Sequence, residues 1–268
     1  MRLTIHHETY YRYDRPVRFS AQYLRLTPPS NPAQRVIRWQ ISAPGHQHQW
    51  IDAFGNVCHT LVCDYVTDEI VISATGLVET ADTVGILPRD ESGLPVEVFL
   101  RSTPLTLIDA RIRDFAEPFR SGMRTDRIPA LHQLMMALRD AIDYREGETH
   151  VRSTASEALK DGAGVCQDHA HAFVACARAV GVPARYVSGY LYTGEDEAPS
   201  VAGHAWAAAW VERLGWVSFD VANRVSATER HIALAVGLDY GGASPVRGVR
   251  QGGSSGEDLA VQVRVAQA

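Results

Sequence analysis

Cysteine is scarce in this chain, with four in 268 residues. Cys58 and Cys63 are five positions apart in a strand-like run, so their side chains point to opposite faces. Cys166 and Cys176 are ten positions apart in a helical run, a rise of about 15 Å that no disulfide spans. Pairing across the two sets stays open, but reduced thiols are the simpler expectation, with Cys58, Cys63 and Cys176 as small buried hydrophobes. Long apolar runs are also missing. No stretch approaches the roughly 18 residues of a membrane-spanning helix, and the first fourteen residues, polar throughout, lack the apolar centre of a signal peptide, so a cytoplasmic protein with no membrane partner is expected. Nor does one sign of charge dominate. Lys and Arg number 26 against 31 Asp and Glu, a net charge of -5 without long like-charged runs, which argues against a nucleic-acid or acidic-membrane partner. None of this reports on oligomeric state.

What is present is an ordinary globular composition, 46% apolar and 21% charged, in a chain long enough for two domains. Residues 1 to about 100 read as β structure. Leu3-Thr4-Ile5-His6, Val36-Ile37-Arg38-Trp39-Gln40-Ile41 and Ile70-Val71-Ile72-Ser73-Ala74 are rich in β-branched and aromatic residues and are separated by turn formers, which predicts a sandwich of short strands. Asp52-Ala53-Phe54-Gly55-Asn56 reads as a turn. Trp39, Trp50, Phe54 and tyrosines 10, 11 and 13 can form a carbohydrate or peptide platform, but strand packing accounts for them more simply. The pattern breaks between residues 86 and 104, where Pro88, Gly93, Pro95 and Pro104 mark a linker, dividing the chain into domains 1–100 and 101–268.

Helical periodicity follows. Residues 107–119 suit a short helix, and residues 128–144 carry Leu131, Leu134, Met135, Leu138 and Ile142 on one face. Thr154 with Glu157 has the form of a capping box. A glycine-containing approach, Gly162 and Gly164, then leads to Cys166, after which Ala170, Phe173, Val174, Ala177 and Gly181 keep helical spacing. Cys166 therefore falls in the first turn of a helix, where unpaired N–H groups and the helix dipole favour a thiolate over a thiol.

Beyond that helix, residues 184–192 read as a strand and residues 194–200 as an acidic loop. Gly203-His204-Ala205-Trp206-Ala207-Ala208-Ala209-Trp210-Val211 and Trp216-Val217-Ser218-Phe219-Asp220 then form a hairpin about Glu212-Arg213-Leu214-Gly215. The hairpin sets His204, at one strand's start, beside Asp220, at the other's end. Cys166, His204 and Asp220 thus supply nucleophile, proton shuttle and orienting carboxylate, the set that acyl transfer needs, with the Cys166 N–H as one oxyanion donor. Asp168 suits the helix N-terminus, and His169 is a rival base on the side of Cys166. His169, His171, His204 and Cys166 lack the tight repeated spacing of a zinc site. Residues 248–256, rich in Gly and Ser, suggest a mobile loop, and residues 259–265 alternate like a closing strand.

At Gly164-Val165-Cys166-Gln167-Asp168, Gly181-Val182-Pro183, Gly203-His204-Ala205-Trp206 and Gly215-Trp216-Val217-Ser218-Phe219-Asp220, in that order, the chain resembles the transglutaminase-like superfamily, in its bacterial branch with an N-terminal β domain. The resemblance implies an α+β protein: an N-terminal β sandwich followed by a papain-like core with an antiparallel sheet. It implies a cysteine enzyme acting on amide bonds of peptides or proteins through a thioester, with Cys166, His204 and Asp220 as the triad; no cofactor or metal is expected. An inactive relative that only binds peptide, or a scaffold, is the alternative. Where many relatives have Pro and Thr after the aspartate, Val221-Ala222-Asn223 stands here. His231-Ile232 also resembles a family segment near the cleft.

Overall fold

The computed structural model describes residues 1–87, 93–194, 203–253 and 256–268. Pro88 of the expected linker and residues 195–200 of the expected acidic loop lie outside them. The N-terminal part is an antiparallel sheet of β1 (Arg2–Thr27), β2 (Gln34–Ser42), β3 (His46–Ile51), β4 (Val57–Cys63) and β5 (Thr67–Thr80). Rather than one of many short strands, β1 is a single 26-residue ribbon. It pairs with β5 through its first half and β4 through its second, with the register broken between Arg12 and Val17, near Pro16, whose missing N–H cannot continue a ladder. Its odd-numbered residues Leu3, Ile5, His7, Thr9 and Tyr13 are buried, as the period of two requires for one inward face.

The rest of the described chain builds a helix-covered second sheet. In order it has β6 (Ile86–Leu87), α1 (Ala110–Ala116), α2 (Arg120–Thr125), α3 (Arg127–Ala141), β7 (Asp143–Tyr144), α4 (Ala155–Asp161), β8 (Ala163–Gly164) and α5 (Cys166–Ala179). Then come β9 (Ala184–Leu191), β10 (His204–Val211), β11 (Gly215–Phe219), β12 (His231–Gly237) and the short α6 (Tyr240–Ala243). The sheet order is β12-β9-β10-β11-β6, with all pairs antiparallel. Leu131, Leu134, Met135 and Leu138 of α3 are buried, as their spacing predicts, in one core with Phe173 of α5 and Phe219 of β11. Each such leucine is worth about 2–5 kcal/mol against alanine. The Thr154–Glu157 capping box opens α4 as expected. The far end of α5 is pinned by Arg178, buried, whose guanidinium donates to the carbonyls of Phe99, Ala184 and Leu238.

The last two strands return to the first sheet. β13 (Val246–Gly252) pairs with the second half of β1, and β14 (Glu257–Gln267) with its first half. The mobile loop expected over residues 248–256 is corrected here: up to Gly252 it is strand, and residues 254–255 lie outside the described residues. Gly248 serves close approach rather than looseness, since a Cβ there would sit 2.9 Å from the Ala21 carbonyl oxygen and 2.7 Å from Gln22 Cγ. The two sheets are stitched together by side-chain amides at β12, the edge of its own sheet. Gln34 accepts from the Ala233 N–H and donates to its carbonyl, and Asn56 does the same with Val236. The Asp52–Asn56 turn therefore has a job beyond reversing the chain. Asp52 Oδ1 accepts from the N–H groups of Phe54 and Asn56, and Oδ2 from the Asn56 amide, which aims that amide at β12. Among the described residues no helix is long and apolar enough to cross a membrane.

Candidate active site

Cys166 is the first residue of α5 and half-buried, while the other three free cysteines are buried. Its approach is held from both sides. Gly162 ends α4 with φ 65°, and β8 pairs with β7. Asp168, two residues into the helix, accepts from the Val165 N–H at 2.8 Å and the Thr149 hydroxyl at 2.7 Å, so it caps the helix start as the sequence suggests. Gly164 is required by that cap, because a Cβ there would fall 2.7 Å from Asp168 Cβ.

Across from the helix, the hairpin turns at Arg213, φ 73°, and Gly215, φ 94°, with Ala207 opposite Phe219. This register brings the start of β10 beside the residue after β11. His204 Nε2 lies 2.7 Å from Asp220 Oδ2, and Cys166 lines the same cavity as the ring, close enough to influence its charge. The three residues proposed from sequence are therefore brought together, His204 hydrogen-bonded to Asp220 and sharing a cavity with Cys166. Burial works against charge on His204, but the hydrogen bond to Asp220 and the nearby Cys166 outweigh it and raise the ring's pKa from 6.5 to about 10. Asp220 is fully buried, which by itself would raise its pKa, yet the hydrogen bonds from His204, His231 and Asn223 hold it well below the usual carboxylate range.

Two of those partners were not assigned by sequence. His231 Nε2 sits 3.1 Å from Asp220 Oδ2, and its Nδ1 accepts from the Thr228 N–H, so the ring proton is kept on Nε2 and aimed at the carboxylate. Asn223 donates its amide to the same oxygen at 2.8 Å. The only sequence signals were the family-like His231-Ile232 and the unusual Val221-Ala222-Asn223, neither of which names a partner. Trp206 roofs the pair, stacked on His204 and edge-on to His231.

His169, the rival base, is not part of this cluster. It is buried, with Nδ1 2.8 Å from the Val165 carbonyl oxygen and Nε2 3.0 Å from that of Ile142. His171 accepts from the Tyr240 N–H. The zinc set weighed from sequence is thus not assembled. His204, Asp220 and His231 do place one donor atom each within 4.8 Å of one another. Their contacts of 2.7 and 3.1 Å, with the His231 proton held on Nε2, suit hydrogen bonds rather than ligands spread around an ion at about 2.0 Å. A cavity of about 290 Å³ opens beside Cys166 and His204.

Residues 113–221, which contain Cys166, His204 and Asp220, match the transglutaminase-like superfamily, and residues 3–79 match the bacterial transglutaminase-like N-terminal region. The chain belongs to the transglutaminase-like superfamily. An uncharacterized protein of Mycobacterium leprae is 31% identical over 98% of both chains, and one of Mycobacterium tuberculosis is 30% identical over 98% of this chain and 92% of its own. Among solved structures, a protein from Cytophaga hutchinsonii described as a candidate cysteine protease shares the fold, with a TM-score of 0.77 and 18% identity over 99% of this chain and 90% of that one. The superfamily fold therefore spans both sheets, and the α+β class expected from sequence holds.

Proposed function

We propose that the protein is a cysteine-dependent enzyme that cleaves or transfers the acyl group of peptide or protein amides through a thioester on Cys166. The observation that carries this reading is the pair of His204 and buried Asp220, hydrogen-bonded at 2.7 Å, opening with Cys166 onto one cavity. With the His204 ring held protonated, the thiolate attacks the carbonyl carbon and the carbonyl π pair moves to oxygen. The Cys166 N–H, one of the first-turn donors that the helix leaves unused, faces that developing charge. His204 passes its proton to the leaving nitrogen as the C–N bond breaks, giving amine and thioester. Water or a second amine then attacks the thioester, His204 takes a proton from it, and the C–S bond breaks to restore the ion pair. Water as acceptor makes a peptidase or amidase, an amine a transamidase.

Peptide amides assayed with and without a primary amine read both outcomes at once, as free acid or as amine incorporated. Iodoacetamide labelling tests the nucleophile by itself. Cys176 is fully buried and its pKa is raised by burial and by Asp109, and that of Cys58 is pushed up to about 11 by burial and Asp52. Cys166 is expected to label at least about tenfold faster than either near neutral pH. Equal rates, with no turnover of any amide, would leave the peptide-binding alternative.

A further inference from the structure

The cavity beside Cys166 is not made by the catalytic core alone. The core gives Cys166, His204, Tyr186 and Tyr190, while the opposite sheet supplies His7, Thr9 and Tyr11 from β1 and Leu259 and Val261 from β14. The positions 7, 9 and 11 share the inward face of β1 by the period of two, and β14 lies beside that same half of β1, with His7 opposite Val263 and Thr9 opposite Val261. Both ends of the chain, some 250 residues apart in sequence, thus meet in one wall facing the nucleophile.

The chemistry of that wall is neutral. Among the described residues none of the side chains lining the cavity is Asp, Glu, Lys or Arg. His7 does not add a charge, because burial, followed by the neighbouring His6, lowers its pKa to about 4. Its ring instead links two hydroxyls, with Nδ1 2.9 Å from the Tyr190 oxygen and Nε2 3.0 Å from Thr9 Oγ1. A neutral imidazole brings one N–H to this trio and each hydroxyl brings one O–H, so three hydrogens serve two contacts. Whichever tautomer is present, one hydroxyl hydrogen is left over, on Thr9 or Tyr190, at the cavity wall. At about 290 Å³ the space suits one large side chain rather than an extended ligand.

We infer that this cavity is the acyl-side specificity subsite of the enzyme, walled jointly by the two sheets, and that it takes an uncharged, largely apolar side chain flanking the reacting carbonyl, with the spare hydroxyl hydrogen donating to an acceptor on that side chain. The inference rests on the acyl-transfer reading above. A charged side chain entering would lose its water with no Asp, Glu, Lys or Arg among the described residues of the cavity wall to meet it. The Cys166–His204 pair is engaged with the reacting carbonyl, so discrimination falls mainly between isosteres that differ in charge.

The test uses the full-length protein and fluorogenic peptide amides that differ only in the residue flanking the reacting carbonyl, in the near-isosteric pairs Gln against Glu and Met against Lys. The neutral member of each pair is expected to have a kcat/KM at least about tenfold higher. Leu259 is half exposed at the rim, so Leu259→Lys adds a cation without cutting into the core, and it is expected to narrow the Gln-to-Glu gap while leaving Met-to-Lys as wide or wider. Thr9→Val, which keeps the shape and removes the hydroxyl, is expected to lower kcat/KM for Gln more than for Met. Wild-type turnover that ignores charge, or a Gln-to-Glu ratio unmoved in an active Leu259→Lys protein, overturns the subsite while the acyl-transfer reading stands. If no amide turns over and Cys166 labels no faster than Cys176, that reading fails, and the subsite with it.

Discussion

Four histidines of the helix-covered half fall into two pairs that differ in what they touch more than in how deeply they lie. On α5, His169 meets the Val165 and Ile142 carbonyls and His171 meets the Tyr240 N–H. Burial, the largest influence on both, lowers their pKa, that of His171 to about 4. On the hairpin sheet, His204 and His231 converge on one oxygen of Asp220. There the carboxylate outweighs burial and moves the His204 pKa the opposite way, to about 10. The lesson is that desolvation silences an imidazole unless a carboxylate is buried with it. A histidine near the nucleophile in sequence can be architecture, and one 38 positions away can be the proton carrier.

The largest effect that could break this contrast is loss of His204. His204→Ala is expected to reduce turnover of peptide amides by at least about a hundredfold, the usual scale for a general acid and base. A smaller loss would return the role to another ring. Next comes Asp220→Asn, with a loss between about ten- and a hundredfold and a moved pH profile. On the proposed mechanism the wild-type ring is the acid for the leaving group, so kcat/KM is expected to fall as pH rises through about 10, and in Asp220→Asn that alkaline limb shifts down toward 6.5, the ring's ordinary value. Stability follows the same sign. The folded pKa of His204 is raised, so its contribution is full below pH 6.5 and is lost as pH rises through about 10. Thermal melts of wild type against His204→Ala should show a gap that is widest below pH 6.5 and narrows through that window.

Much of the silent and active machinery was legible because it is local. The helix after Cys166, the Thr154–Glu157 box and the 204–220 hairpin each depend on residues within about a score of positions, where periodicity, capping and turn chemistry speak directly. The convergence of His231 on Asp220 depends instead on β12 pairing with β9 across the sheet, with a register slip between Ala233 and Ala235, which no local pattern encodes. The same holds for the cavity wall: His7 and Thr9 read as ordinary strand residues until β14 is laid beside them. Residues 248–252 were misread for a related reason. Glycine signals looseness by composition, whereas at Gly248 it permits a neighbouring strand to come close.

A finer test lies within the sheet pair. His231 touches Asp220, so on the proposed mechanism it is a positioning residue, and His231→Ala is expected to lower kcat by about tenfold with little change in KM. Without the His231 donor, the carboxylate leans more strongly on His204, and the alkaline limb moves upward. A purely structural loss would lower the amplitude and leave the limb in place. Gln at 231 can return an N–H toward Asp220, so His231→Gln should recover part of the rate.

The smallest effect on turnover belongs to the helix pair, and it decides whether the contrast is real. A neutral His169 ring carries one N–H, so it can donate to the Val165 carbonyl or the Ile142 carbonyl but not to both at once. Its work is to tie the first turn of α5 to the end of α3. His169→Ala should therefore leave kcat/KM within about threefold of wild type, while urea denaturation shows a stability loss of about 0.5–1.5 kcal/mol, the net worth of one lost hydrogen bond. Iodoacetamide labelling of Cys166 in that variant separates the two roles. An unchanged rate means that the ring holds the helix without touching the chemistry, whereas a drop as deep as that in His204→Ala would make the nearest histidine in sequence a partner of the thiol after all.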